Sequence, residues 1–445
     1  MKTIFVTSYH SFISRNILST DVLTFLKNSG IRIVILVPSK KVGYFVDNFS
    51  DKNVEIVGFE PRTNFLHNLV YFLSVCLVSV ENLFIQDLRD KKRYLRFYTA
   101  LCIHKIFSSM FVIKRILRFF YNASMVSRQF SELFVHYDPV LVFSTDIYHV
   151  PDRELVAEAK KSGIFTIGMV RGWDNPISKG VLLAVPDKII SPNEVIREEL
   201  WQYNRIGADK IFISGVPHYD TCLTPPRLSR AEFFAKMELN PDKKLIFFAP
   251  AGALLYKYDG EILKVLQKLK NEGKFNHHVQ FLVRFHPGSK SNLNGFVPDR
   301  DFVFDEPGLD LVGTKKQSEI TEHDARNLNT ALFYSDVVIT VVSTIAIDGA
   351  VFDKPTIIFS VNPREGLDDN IKKFLLNFHG HFKKFVGFGW CAVAHSEEEL
   401  VRYINNYLAN PGLDKDKRRN IVEKYCYKVD GNSSARVAKF ILQHL

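Results

Sequence analysis

Read as a string of apolar and polar positions, the chain alternates short, β-branched apolar runs with stretches of helical period, and it does so twice. In the first half, 3–8 reads as a buried strand, 9–15 as a polar loop, 16–28 as a helix stopped by Gly30, and 32–37 as a second strand, the pattern of a βαβ unit. Further on, "PVLVFSTD" (139–146) is a strand that ends in polar residues. The stretch 153–163 is a helix with Gly163 just past its end, 164–170 and 187–193 are strands, and 194–204 is a helix. Four prolines and polar turn residues between 217 and 244 mark a boundary. The alternation then restarts: strands open 244–252 and 279–288 and fill 336–343 and 355–360, helices fill 260–273, 324–335 and 344–353, and two more helices close the chain. This predicts an α/β protein of two doubly wound Rossmann-like domains facing across a cleft. The expected limits are 1–220, with a helical insertion at 62–135, then 221–425, and a C-terminal helix at 426–445.

Composition changes this picture in one place. With 445 residues and 46% apolar content, two packed domains are expected and disorder is excluded. The five cysteines (76, 102, 222, 391 and 426) have no metal-ligand spacing and fit unpaired thiols in a reducing compartment. The opening residues read as a first strand and not as a signal peptide. The formal charge of +10, however, is concentrated: residues 91–130 hold nine Lys and Arg and no Asp or Glu, interleaved with aromatics. Such a segment suits an anionic membrane surface, with nucleic acid or a plain solvated helix pair as alternatives. Just before it, 63–80 is uncharged but carries Asn, His and Ser, so a buried or interfacial helix is expected there and a spanning helix is the lesser reading.

In a parallel sheet the loops after the strands carry the chemistry. Three stand out in the second half. After 336–342, Ser343 and Thr344 are placed to cap a helix whose free N–H groups would hold a phosphate, with Asp348 one turn in to accept from a sugar or ribose hydroxyl; a plain N-cap is the alternative. "RFHPG" (284–288) delivers Arg284 and His286 to a strand end, which suits phosphate. "FAPAG" (248–252) offers a turn that backbone can approach. At the last helix, "DGNSSARV" (430–437) adds Ser433, Ser434 and Arg436. The first half supplies His10, Arg15 and Asn16 after its first strand, Asp146 and His149 after 139–144, and Arg171, Trp173, Asp174, Asn175, Ser178 and Lys179 in "RGWDNPISKG" (171–180). Loop hydrogen bonding is the alternative role for each. The single Asp-x-Asp, 299–301, lies in a predicted loop and is taken as chance.

The residues "RFHP", "SDVVITVVSTIAIDGAVFDKP", "DGNSSARV" and "RGWDNPISKG…PDKIISPNEVIREEL…ISGVPHYD" together resemble the GT-B glycosyltransferase superfamily. More narrowly, they are similar to bacterial surface-polysaccharide transferases related to the CDP-glycerol glycerophosphotransferases. The resemblance covers most of 139–445 and is weak over 40–138. It implies a metal-independent transferase with no cofactor, taking a nucleotide-activated donor in the C-terminal domain and a glycan or lipid-linked acceptor in the N-terminal one. Arg284, His286, Ser343, Thr344, Asp348, Ser433 and Ser434 would then bind the donor, although Asp348 stands where related motifs often have Glu or Tyr. Arg15, Arg171, Trp173, Asn175 and Lys179 would line the acceptor side, and the base that deprotonates the acceptor hydroxyl would be Asp174, Asp146 or His10, in that order. The expected function is transfer of a sugar from a nucleotide sugar to a surface glycan such as lipopolysaccharide or capsule. Polyol-phosphate transfer from a CDP-glycerol-type donor is the alternative, and a UDP-sugar 2-epimerase or a non-catalytic glycan- or nucleic-acid-binding protein stand behind it. Segment 91–130 would dock the protein on the cytoplasmic face of the plasma membrane, and nucleic acid is not expected as a partner.

Overall fold

The computed structural model describes residues 1–62, 65–79, 88, 91–125, 128–250, 259–288, 293, 295–314, 318–341, 343–360 and 380–445. It divides into two units, Met1–Asp220 with Lys424–Leu445, and Thr221–Glu423.

The first unit is built on seven strands: β1 (Thr3–Thr7), β2 (Arg32–Val37), β3 (Val54–Gly58), β4 (Pro139–Ser144), β5 (Phe165–Met169), β6 (Lys188–Ser191) and β7 (Ile211–Ile213). Every neighbouring pair is parallel, in the order β3-β2-β1-β4-β5-β6-β7. The central strands are apolar at successive positions because both faces of the sheet are covered. Side chains alternate between those faces, so Ile4 and Val6 join Ile33, Ile35 and Phe143 in one core, while Phe5 joins Val34, Leu36 and Val142 in the other. Strand order runs outward in opposite directions from β1 and β4, which makes the carboxyl ends of these two strands the topological switch point.

The insertion is helical, as expected. Helices Phe65–Cys76, Tyr94–Phe107 and Phe111–Phe120 precede a wide turn at Tyr121–Met125 and a short helix Ser131–Tyr137. It is fastened to helix Val150–Lys161 of the sheet domain by a buried polar knot. The Tyr121 hydroxyl donates to Glu154 Oε1 at 2.6 Å, Arg153 Nε donates to the Tyr121 hydroxyl at 3.2 Å, and His67 Nε2 lies 3.4 Å from Glu154 Oε2. Part of the 63–80 run is the 12-residue helix Phe65–Cys76, which holds His67 and Ser74 in its buried face. At 1.5 Å per residue its length is about 18 Å. Among the described residues no helix is long and apolar enough to cross a membrane.

The second unit repeats the plan with six parallel strands: β8 (Lys244–Ala249), β9 (Val279–Arg284), β10 (Phe302–Asp305), β11 (Val337–Thr340), β12 (Thr356–Phe359) and β13 (Ala392–Ala394), in the order β10-β9-β8-β11-β12-β13. Alternation again splits the strands between two cores, Ile246, Phe248, Val283 and Ile339 on one face and Leu245, Phe247, Leu282 and Val338 on the other. The switch point here lies between β8 and β11.

The chain then returns to the first unit. In helix Ser433–Leu442, Val437, Ala438 and Ile441 complete the core that holds Ile4 and Val22, and Phe440 stacks on Phe212 at 4.3 Å. The terminal helix expected at 426–445 is therefore part of the first unit's core, joined from Lys424 onward.

Candidate functional site

In the second unit β9, β8 and β11 are neighbours in one parallel sheet, so their carboxyl ends lie side by side. Thr340 Oγ1 donates to Ala249 O at 2.9 Å and ties the ends of β11 and β8 together at the switch point. Beyond β11, Ser343 Oγ accepts from Ile345 N at 3.3 Å and opens the helix Ile345–Val351. Thr344, the residue at the N-cap, is exposed and makes no side-chain cap bond, so the Ser343 hydroxyl closes a local turn ahead of the helix and neither hydroxyl caps it as expected. This helix lies close on the sheet because position 349 is glycine: a Cβ there would stand 2.8 Å from Thr356 Oγ1. Asp348 is buried within the helix. Of "FAPAG", positions 251 and 252 lie outside the described residues.

After β9, His286 Nδ1 accepts from Gly288 N–H at 3.1 Å. That bond puts the ring proton on Nε2 and makes the imidazole a donor. The atoms packed around the ring lower its pKa below the ordinary histidine value, although its edge is open to solvent, so it stays neutral. Arg284 departs from expectation. Its guanidinium pairs with Asp305 on the neighbouring strand and donates from Nη2 to Asp324 O at 2.8 Å, which fastens β9 to β10 and to helix Glu322–Tyr334. It is a buried clamp and not a free donor-binding cation.

Ser433 and Ser434 also depart from expectation. Their N–H groups point to a carboxylate of the chain itself, with Ser433 N donating to Asp220 Oδ1 at 3.0 Å and Ser434 N to Asp220 Oδ2 at 2.7 Å. The anion place at this helix start is taken by Asp220, and both serines are buried in the first unit. Asp299 and Asp301 lie just before β10, at the amino end of the strand. Lys270 Nζ reaches them at 2.6 and 2.9 Å, and Lys243 also pairs with Asp301. The Asp-x-Asp is thus a salt-bridged structural feature at the end of the sheet away from the switch point. Among the described residues no cluster of His, Cys, Asp and Glu could hold a metal.

The first unit's switch point is crowded with titratable groups. Thr145 N donates to Thr7 Oγ1 and Thr145 Oγ1 to Thr7 O, both at 2.9 Å, which laces the ends of β1 and β4. Asp146 follows. Arg171 Nε donates to its Oδ2 at 2.6 Å, while Tyr148 N at 3.3 Å and Asn175 Nδ2 at 3.5 Å reach Oδ1. Burial pushes the Asp146 pKa up, but Arg171, with His149 and His10, outweighs burial and holds the carboxyl below its ordinary value. His10 Nδ1 accepts from Phe12 N at 3.2 Å. Burial first, and the Arg171 charge second, lower its pKa to about 3. His149 stands edge-on to His10, ring centroids 6.0 Å apart.

The remaining residues of this side fall nearby in the same fold. The Phe12 ring carries the guanidinium of Arg15 at 5.5 Å and that of Arg171 at 6.0 Å. Arg15 Nε donates to Asn16 Oδ1 at 2.9 Å, and its Nη2 lies 3.5 Å from His218 Nε2. Trp173 packs edge-on against Tyr425 at 5.6 Å. Asp174 accepts from Ser178 Oγ at 2.6 Å at the head of the short helix Asn175–Ser178, Asn175 is fully buried, and Lys179 is exposed just after the helix. Strand-end position brings Asp146, His10, Arg171 and Asn175 together. Asp152, which sequence reasoning passed over, lies beneath them: its Oδ1 accepts from Ser144 Oγ at 3.0 Å and from Thr7 Oγ1.

Helix Phe111–Phe120 of the basic insertion turns two of its three cations inward. Lys114 is buried, and its Nζ donates to Tyr203 O at 3.0 Å; burial and then Arg205 lower its pKa to about 8. Arg118 donates to Leu182 O and Asn204 O, each at 2.8 Å. The opposite face of helix Phe111–Phe120 is apolar and open to solvent, with Val112 61%, Ile116 55% and Phe119 76% exposed.

Comparison with known proteins fits this geometry. The family model for CDP-glycerol:poly(glycerophosphate) glycerophosphotransferases matches residues 181–443. The teichoic acid poly(ribitol-phosphate) polymerase of Bacillus spizizenii is 23% identical over 264 residues, 57% of this chain and 37% of that protein, so the chain spans little more than a third of this curated relative. Among solved structures, a UDP-GlcNAc 2-epimerase from Neisseria meningitidis bound to UDP-GlcNAc matches with a TM-score of 0.56 at 12% identity over 100% of both chains. A variant of the wall teichoic acid polymerase TagF matches with a TM-score of 0.52 at 15% identity, over 99% of this chain and 88% of that one. The fold is GT-B, two Rossmann-like units, as the alternation of strands and helices implied. With more than half of its length matched, including every strand of the second sheet, the chain belongs to the CDP-glycerol:poly(glycerophosphate) glycerophosphotransferase family.

Proposed function

We propose that this protein transfers a polyol phosphate from a CDP-linked donor to a hydroxyl of a cell-surface polymer of the teichoic acid kind. The observation that carries the reading is the family match, which runs through the whole β8–β13 sheet and includes its ligand-side loops at 284–288 and 343–348. The diphosphate would be held in the second unit by neutral donors, His286 Nε2–H and the backbone N–H groups beyond β11. These stabilise charge that grows on the leaving group without needing a counter-cation. No cofactor enters this reading. A nucleotide-sugar donor would use the same loops, so donor identity is what the first experiment reads. In a thermal-shift screen with CDP, CMP, UDP, GDP and dTDP, CDP should stabilise most. A ligand at about a hundred times its Kd adds roughly 2.7 kcal/mol. A shift with UDP or dTDP alone would turn the reading to a sugar donor, and a flat response would count against the whole transferase reading.

The acceptor partner would be met at an anionic lipid surface on the cytoplasmic face of the membrane. The support is the outward apolar face of helix Phe111–Phe120, together with exposed Leu95 and Tyr98 and the exposed cations Lys91, Arg93, Arg96, Lys105 and Arg115. Apolar side chains that enter the interface beside cations that attract anionic headgroups form a peripheral anchor. The protein should float with vesicles of 30% phosphatidylglycerol at low salt and keep part of that binding at about 0.5 M salt, where pure charge attraction is screened. Phe119→Asp with Ile116→Asp should abolish flotation. Undiminished flotation of that variant would remove this helix from the reading.

A further inference from the structure

We propose that His149, oriented by Asp152, is the group that takes the proton from the attacking acceptor hydroxyl, a step that rests on the transferase reading above. The groups beside it are poorly suited to the task. A base works best when its conjugate acid titrates near the working pH. His10 titrates near 3, and its Nδ1 already accepts the Phe12 N–H. Asp146 is buried in an ion pair with Arg171, and its second oxygen faces Tyr148 N and Asn175. Asp174 already accepts the Ser178 hydroxyl on its Oδ2 at 2.6 Å.

His149 differs in place and in support. It is half-exposed, stands just before helix Val150–Lys161 at the β1/β4 switch point, and its Nδ1 lies 3.5 Å from Asp152 Oδ2. Asp152 is buried. Its Oδ1 is fixed by the hydroxyls of Thr7 and Ser144, the last residues of β1 and β4, and by Asp146 N at 3.4 Å. Its Oδ2 and the Nδ1 of His149 are both buried without a hydrogen bond of normal length, and each faces the other. A small closing movement makes Nδ1–H···Oδ2, which places the ring proton on Nδ1 and leaves the Nε2 lone pair free. A carboxylate anchored on two core strands therefore sets the tautomer of an imidazole at the ligand end of the sheet. The other charged or titratable groups acting on this pair are Asp146, His10, Arg171 and Tyr9.

In the step itself the acceptor O–H gives its proton to Nε2, and its oxygen forms a bond to the donor phosphorus that bears the polyol. The P–O bond to CMP breaks, with its electron pair leaving on CMP. Asp152 balances the imidazolium until the proton passes to solvent.

The test uses the full chain, CDP-glycerol and a glycerol-phosphate oligomer. H149N should lower kcat by about 100-fold or more while the donor KM and the CDP thermal shift stay as in the wild type. H149Q serves if H149N does not fold. D152N should lower kcat less, and the 15N signals of the His149 ring should move from an Nδ1–H form to mixed tautomers. A kcat within threefold of wild type for the His149 variant overturns the proposal, and so does a wild-type ring protonated on Nε2. A wild type that turns over no nucleotide-activated donor sinks the transferase reading and this step with it, whereas an active wild type beside an active H149N sinks this step alone.

Discussion

The two sheets place their switch points by the same rule but furnish them differently. At β1/β4 the chain gathers Asp146, Asp152, His10, His149 and Arg171, the two carboxylates buried and the other three half-buried around them. At β8/β11 the described residues are a turn serine, an exposed threonine and a tight helix on Gly349, with a neutral His286 in the loop after neighbouring β9. A cluster of carboxylates and imidazoles, with Asp146 and His10 shifted, suits the handling of protons, and neutral donors at helix and loop N–H groups suit the holding of phosphate. The family match sharpens the contrast. It begins at residue 181, so it takes in the second switch point and leaves out His10, Asp146, His149 and Arg171. The residues read as donor binding lie inside the family match, and those read as acting on the acceptor lie before it.

The largest expected effect tests whether the first switch point is held by its charges. Asp146→Ala leaves the half-buried Arg171 without its partner, since the guanidinium pairs with Asp146 at 2.6 Å. Removal of one member of a buried pair costs about 3–5 kcal/mol, and the partial exposure of Arg171 sets this pair at the low end of that range. The Asp146 pKa is depressed in the folded protein, so its stabilising contribution is complete above the ordinary carboxylate range and is lost as pH falls through the depressed folded value. The gap between wild type and Asp146→Ala in denaturant should therefore be full at neutral pH and narrow in acid. A gap under about 1 kcal/mol would mean that Arg171 finds water or another partner, and the picture of a rigid first switch point would fall. The corresponding clamp of the second unit, Arg284 with Asp305, stands away from β11, so breaking it would not probe the second switch point.

How much of this was legible in the sequence follows the same contrast. Central strands such as β1, β2, β8 and β9 were readable because burial on both faces forces a continuous apolar run. The edge strands β3, β7, β10 and β13 were not singled out, because they are short and mostly only half-buried, which leaves no strong pattern. Strand ends located Ser343, His286, Asp146 and His10 correctly relative to the sheets. Partners, however, are set by tertiary neighbours. Nothing local in "RFHPG" shows that Arg284 meets Asp305, nor does "DGNSSARV" show that its N–H groups are met by Asp220 from 213 residues away. The insertion gives the same lesson for surfaces. The sequence shows a basic, aromatic segment, and only the carbonyls of Tyr203, Leu182 and Asn204 show that Lys114 and Arg118 of helix Phe111–Phe120 are turned inward while Arg115 stays exposed.

A smaller effect probes the second switch point. In Ser343→Ala with Thr344→Ala, the fold loses the Ser343 turn bond to Ile345 N, about 0.5–1.5 kcal/mol, and Thr344, exposed and without a cap bond, adds little to that. The fold should survive. If the hydroxyls and N–H groups here hold a diphosphate, CDP should bind about tenfold more weakly, the ~1.4 kcal/mol expected of one lost hydrogen bond to a charged group. Isothermal titration at fixed pH separates this from stability. Wild-type CDP affinity in the double variant would remove the hydroxyls from the site and leave only the backbone and His286 to hold the phosphates. The contrast between the two switch points would then rest on the first one alone, since a crevice of neutral donors that does not sense its own hydroxyls is no longer shown to be a phosphate site. A tenfold loss, with the Asp146→Ala protein still binding CDP normally at a temperature where it is folded, would separate the two functions by unit.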